Sequence, residues 1–204
     1  MYVSAEESES QIGMRAKRLK VSSDKLQISA ENQIEKIRDY VSFLKPELII
    51  IDSIQTMFTP GIDSLPGSPN QIRECGQQLL QLSKQRELTV IIIGHVTKDG
   101  IIAGPKMLEH MVDTVLYLEG DDRYDHRILR SVKNRLGATH EVGIFLMSSN
   151  GLQEVKNPSE LLLEERTQNA AATAIYASLE GTRPILVEVQ ALFSPANFGT
   201  LQRH

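Results

Sequence analysis

The chain has 204 residues, 41% of them hydrophobic and 24% charged, which supplies the core of one ordinary domain plus a fragment of another. Its 26 acidic and 22 basic side chains leave a formal charge of −4, excluding a protein that coats nucleic acid by bulk positive charge while leaving a local cationic track open. No apolar run reaches bilayer-spanning length and no signal peptide opens the sequence; Cys75 alone cannot form an internal disulfide or a cysteine-based zinc site. Together these predict a cytoplasmic protein with no membrane partner.

In chain order, Met1-Tyr2-Val3-Ser4 reads as a short strand running directly into a helix. Ser4 and Glu7 fit a capping box, which leaves Glu6 free at the strand end. That helix is expected to continue to about Leu19, with Ile12 and Ala16 spaced four apart. Residues 25–29 read as a second short strand, and Ser29 as the cap of a helix whose buried face carries Ile34, Ile37, Val41 and Leu44. Pro46 ends that helix, and the chain enters Leu48-Ile49-Ile50-Ile51-Asp52-Ser53. Four apolar residues without alternation predict a strand buried on both faces, as in a parallel sheet covered by helices.

Residues 59–69 are dense in proline, glycine and serine and form a loop. The next helix places Ile72, Cys75, Leu79 and Leu82 on one face, so Cys75 reads as a packing residue and not a nucleophile. Residues 88–95 form a second wholly apolar strand, ending in Gly94-His95, and residues 96–106 a second loop carrying Lys98 and Lys106. Residues 112–118 read as a strand, and 127–134 with 141–147 as an antiparallel pair joined across Arg135-Leu136-Gly137-Ala138. After Asn150 the pattern changes to a short helix over 158–163 and an alanine-rich linker over 167–173. A strand over 185–192 follows, its partners expected past His204. The rhythm of strands and helices predicts an α/β core over 1–150 with a doubly wound, mostly parallel sheet. A linker over 151–172 and the start of a further domain over 173–204 complete the expected division.

Open α/β sheets bind ligands beyond the carboxyl ends of their strands. There Asp52, followed by Ser53, can hold a Mg²⁺-bound water beside nucleotide phosphates, the Walker B role. The plainer reading is that Asp52 ends a strand and starts a turn. Glu6 can polarise an attacking water, or can simply complement a helix dipole. His95 can sense a γ-phosphate, or can be a strand-end histidine bonded to backbone. Lys133 and Arg135, at i and i+2, point the same way and suit an arginine-finger role toward a neighbouring subunit's nucleotide, or form an ordinary cationic hairpin tip. A phosphate cradle is missing: residues 61–68 have glycines but no lysine, and residues 100–106 have a lysine in the wrong spacing with no hydroxyl after it.

Tyr2-Val3-Ser4-Ala5-Glu6-Glu7-Ser8, Leu48 to Thr56, Gly94-His95-Val96-Thr97-Lys98 and Lys133-Asn134-Arg135-Leu136-Gly137, in that order, resemble the bacterial RadA (Sms) family of RecA-like DNA repair ATPases. The resemblance covers nearly the whole chain. It implies a RecA-like core that begins here after the P-loop helix, lacks the family's zinc finger and Walker A, and stops early in a domain resembling the Lon protease. By position, Glu6 resembles the catalytic glutamate and Asp52 the Walker B aspartate. Lys133 and Arg135 match the cations of the family's KNRFG motif, with Leu136 in place of its aromatic; Ala5 stands where glycine is usual. The loops over 59–69 and 96–106 resemble DNA-gripping pore loops, with Lys98 or Lys106 tracking phosphates.

The resemblance further implies ATP and Mg²⁺ as cofactors, single-stranded or branched DNA as substrate, a homo-oligomeric ring (a hexamer) and the recombinase RecA as a further partner. The implied activity is ATP-driven branch migration of recombination intermediates, with this chain inactive alone. Two alternatives stay open: a non-catalytic module that binds DNA or co-assembles with an intact subunit, and a RecA-fold regulatory ATPase of another kind.

Overall fold

The computed structural model describes residues 1–95, 103–120, 125–159, 163, 172–180 and 183–191. The chain divides into two units, Met1–Val115 and Leu116–His204.

In the first unit β1 (Tyr2–Ser4), β2 (Ile28–Ser29), β3 (Leu48–Asp52) and β4 (Thr89–Ile93) form a parallel sheet in the order β2-β1-β3-β4. The helices are α1 (Glu9–Arg18), α2 (Ile34–Leu44), α3 (Pro69–Arg86) and α4 (Ala103–Leu108). Alternate strand residues Val3, Ile49 and Ile51 are fully buried, in one cluster with Ile34, Ile37 and Val41 of α2 and Ile72, Cys75, Leu79 and Leu82 of α3. Each such aliphatic side chain withdrawn from water contributes roughly 1.5–3 kcal/mol before chain entropy is charged against it. The opposite face is different from expectation. Leu48 is 38% and Ile91 46% exposed, so β3 alternates and is not buried on both sides. The isoleucine run specifies a strand; how many of its faces are covered depends on elements elsewhere in the chain.

The capping expectations are corrected in two places. Ser4 is the last residue of β1 and is buried, and the cap of α1 is Ser8, whose side chain accepts from the Gln11 amide while the Gln11 side chain accepts from the Ser8 amide. Pairing of Ser4 with Asp52 uses that residue as strand, so the competing Ser8–Gln11 box wins. Glu7, released from capping, pairs with Arg15. Ser29 likewise does not cap α2: its hydroxyl accepts from the Glu31 amide at 3.2 Å. The Glu31 carboxylate instead accepts from the amides of Asn32 and Gln33, at 3.1 and 3.0 Å.

The loop over 59–69 is held by one buried glutamine, which the helical periodicity of α3 did not mark. Gln71 accepts from the Thr59 amide at 2.9 Å, and its side-chain nitrogen donates to the carbonyls of Thr59, Ile62 and Ser64 at 3.0, 3.1 and 3.0 Å. The Thr59 hydroxyl donates to Glu35 on α2. Of the loop over 96–106, residues 96–102, with Lys98, lie outside the described residues, and residues 103–108 belong to α4 instead of the loop. Leu108 of α4 seats directly over Gly76, where an added Cβ would meet its Cδ2 at 2.5 Å.

β5 (Thr114–Gly120), which begins in the last two residues of the first unit, and β6 (His126–Asn134), β7 (Val142–Ser148) and β8 (Gly151–Glu154) of the second form a sheet in that order, with β6–β7 and β7–β8 antiparallel. The expected antiparallel pair is present. The helix expected over 158–163 and the linker over 167–173 lie largely outside the described residues. β9 (Thr173–Glu180) and β10 (Arg183–Gln190) pair antiparallel from Arg183↔Glu180 to Gln190↔Thr173. The late strand therefore finds its partner upstream, not past His204, because Thr173 to Glu180 is itself a strand.

Replacing Gln71 with alanine strips one amide and three carbonyls of a partner in a buried place; Gln71→Ala is expected to lose about 3 kcal/mol of stability by urea unfolding. Burial, and then the charges of Glu35 and Glu74, push the Cys75 thiol from 9.0 up to about 12. The unfolded thiol ionises as pH rises through 9 while the folded one keeps its proton, so stability present below pH 9 falls as pH climbs toward 12. Unfolding curves from pH 8 to 11 should show that decline, and Cys75→Ala should flatten it.

Candidate functional site

The parallel register sets Ser4, Asp52 and Ile93 level across three strands. Glu6 lies two residues past Ser4 and His95 two past Ile93, so Glu6, Asp52 and His95 gather at one rim of the sheet. There the Ser53 hydroxyl, fully buried, donates to Glu6 Oε1, and His95 Nε2 lies 3.5 Å from the same oxygen. The Glu6 and His95 side chains are 41% and 62% exposed, open to a ligand arriving from solvent.

Three further side chains fix this rim, none of them marked as site residues by the sequence. The Tyr2 hydroxyl donates to Asp52 Oδ2. Burial first, then that bond and the aspartate charge, push the Tyr2 phenol up to about 12, so it remains a donor at neutral pH. Gln55, in a 3₁₀ turn over Ile54–Thr56, donates to the His95 carbonyl at 2.8 Å and so ties the end of β4 to the segment after β3. Thr56 closes that segment on itself, its hydroxyl donating to the Ser53 carbonyl at 2.8 Å. Tyr2 had a signal: in a strand parallel to β3, alternate residues share a face, and Tyr2 sits two before the residue opposite Asp52. Gln55 had none, because its partner is 40 residues away.

Among the described residues no group of three or more His, Cys, Asp and Glu side chains is placed to chelate a metal ion. Asp52, a carboxylate with one oxygen engaged by Tyr2, fits the way Mg²⁺ is usually held beside a nucleotide: few protein ligands, several waters, and phosphate oxygens. Asp52 would hold that ion through its water.

Lys106 is exposed on α4. Lys133 belongs to β6, and Arg135 lies in the turn that follows, in the second unit. Pairing of β6 with β7 is described from His126↔Leu146 to Arg130↔Val142. Beyond it Asn134 shapes the turn: its Oδ1 accepts from the Leu136 amide at 3.1 Å and its Nδ2 donates to the Ala138 carbonyl at 3.5 Å. That turn leaves Leu136 94% exposed.

A family model described as "ATPase: KaiC" matches residues 2–152. The chain is 51% identical over 203 residues to the DNA repair protein RadA of Listeria monocytogenes, covering 100% of this chain and 44% of that protein. It is 50% identical to DNA repair protein RadA of Bacillus subtilis, again covering 44% of the relative, and 51% identical to that of Streptococcus pneumoniae, covering 48%. The chain thus spans less than half the length of these curated relatives. Among solved structures, the crystal structure of the RadB recombinase superposes with a TM-score of 0.52 at 17% identity, covering 76% of this chain and 78% of that one, a likeness of fold. Proteins of this class bind nucleotide and Mg²⁺. Half-identity along the whole sequence, a family model spanning most of it, and a parallel sheet of this topology agree: the chain belongs to the RecA-like ATPase family of DNA repair protein RadA.

Proposed function

We propose that this chain forms the acidic rim of a RecA-type ATP site in a DNA repair and recombination ATPase, whose whole protein drives branch migration along single-stranded or branched DNA. The observation that carries the reading is the meeting of Glu6, Asp52 and His95 beyond the carboxyl ends of three adjacent parallel strands. Mg²⁺, when bound, would neutralise charge on the β- and γ-phosphates. Asp52 would hold that ion through its water, beside Ser53. Glu6, fixed by Ser53, orients the attacking water and takes up its proton. His95 faces Glu6 at 3.5 Å and is free to exchange that partner for a phosphate oxygen, which makes it the sensing group.

In this reading Lys133 and Arg135 reach the nucleotide of a neighbouring subunit in a homo-oligomeric ring, a hexamer by family resemblance. Lys98 and Lys106, with Lys133 and Arg135, follow DNA phosphates, and the recombinase RecA is a further partner. The proposed division is a RecA-like core over 1–150, a linker over 151–172 and the start of a Lon-like domain over 173–204, working in the cytoplasm. The net charge of −4 does not oppose a DNA role, because only the surface lining the DNA has to be cationic.

With Mg²⁺ present, a fluorescent ATP analogue is expected to bind this chain, and Asp52→Ala to weaken it about tenfold. Equal binding by wild type and Asp52→Ala sinks the reading. Release of labelled phosphate, with or without single-stranded DNA, is expected to be negligible, because the sequence carries no glycine-lysine phosphate cradle. Turnover abolished by Asp52→Ala would show that no such cradle is needed.

A further inference from the structure

Tyr2 does no chemistry in the scheme above, yet it makes the closest polar contact to the aspartate on which that scheme rests. The register pairs Tyr2 with Ile50 and Ser4 with Asp52, so Tyr2 and Asp52 share a sheet face as diagonal neighbours. A tyrosine ring is long enough to cross that diagonal, and its hydroxyl ends on Asp52 Oδ2. A carboxylate on a strand end has two free torsions, and one fixed oxygen removes most of that freedom. We infer that Tyr2 is a positioning residue for Asp52: its hydroxyl holds one carboxylate oxygen so that the other is presented to the water shell of the divalent cation. This role rests on the nucleotide-site reading.

Phenylalanine keeps the ring and its packing while deleting the donor, so Tyr2→Phe separates orientation of Asp52 from support of the fold.

The test uses this chain labelled with ¹³C at the tyrosine ring Cζ, the Tyr2 signal being assigned by its loss in Tyr2→Phe. Mn²⁺ binding is followed in parallel by electron paramagnetic resonance. Asp52→Ala is expected to move the Tyr2 signal to the position of a free phenol, and Mn²⁺ to broaden that signal in wild type but not in Asp52→Ala. Tyr2→Phe is expected to weaken Mn²⁺ at least threefold without changing the melting temperature. A Tyr2 signal indifferent to Asp52→Ala, or equal Mn²⁺ affinity in wild type and Tyr2→Phe, overturns the role. Mn²⁺ affinity that survives Asp52→Ala unchanged would instead remove the nucleotide-site reading and this role with it, an outcome told apart by the Asp52 variant alone.

Discussion

The register of three parallel strands is the constraint on which the rest depends. With Ser4, Asp52 and Ile93 level, the residues two places further on must emerge along one line, and Glu6 and His95 are those residues. A slip of one residue in β1 or β4 would turn every side chain to the other face, exposing Val3 and aiming the functional groups away from one another. What forbids the slip is the buried face. Val3, Ile49 and Ile51 are sealed against α2 and α3, so the hydrophobic core holds the geometry of the rim in place without touching it.

A second layer of polar bonds fixes what the register leaves loose. Gln55 links the turn after β3 to the end of β4, and Ser53 and Tyr2 each seize one acidic side chain of the rim. Gln71 does for the loop over 59–69 what the strands do for the rim. Four hydrogen bonds from one buried side chain give a proline- and glycine-rich segment a set shape. Buried amides and carbonyls need partners, and a loop with no regular ladder of its own has taken them from a helix.

The strands of the first sheet and the buried face of α3 were legible in the sequence because each rests on local pattern, whereas the convergence of Glu6, Asp52 and His95 also needed those strands to be neighbours. Ile72, Cys75, Leu79 and Leu82 follow the helical period and are all buried. Features decided at long range were not legible. Gln71 reads as a polar residue beside a helix start, and only the loop folded over it makes it a core residue. Two capping windows four residues apart, at Ser4 and Ser8, are indistinguishable until strand pairing consumes the first. Thr173 to Glu180 hides its alternation behind alanines, so its pairing with β10 could not be anticipated from composition. The isoleucines of β3 announce a strand and stay silent on how many layers cover it.

The rim is better understood as placement than as stabilisation. A polar contact as exposed as that of Glu6 and His95 contributes at most about 1 kcal/mol. The Ser53 hydroxyl is a different case: fully buried, it has to find an acceptor, and it finds Glu6. The buried Ser53 hydroxyl is therefore committed to Glu6, while the exposed His95 keeps the freedom to change partners. That asymmetry suits a site in which a carboxylate must stand still while a ligand comes and goes, and it explains why the acidic rim can be exact in position without adding to the stability of the sheet that carries it.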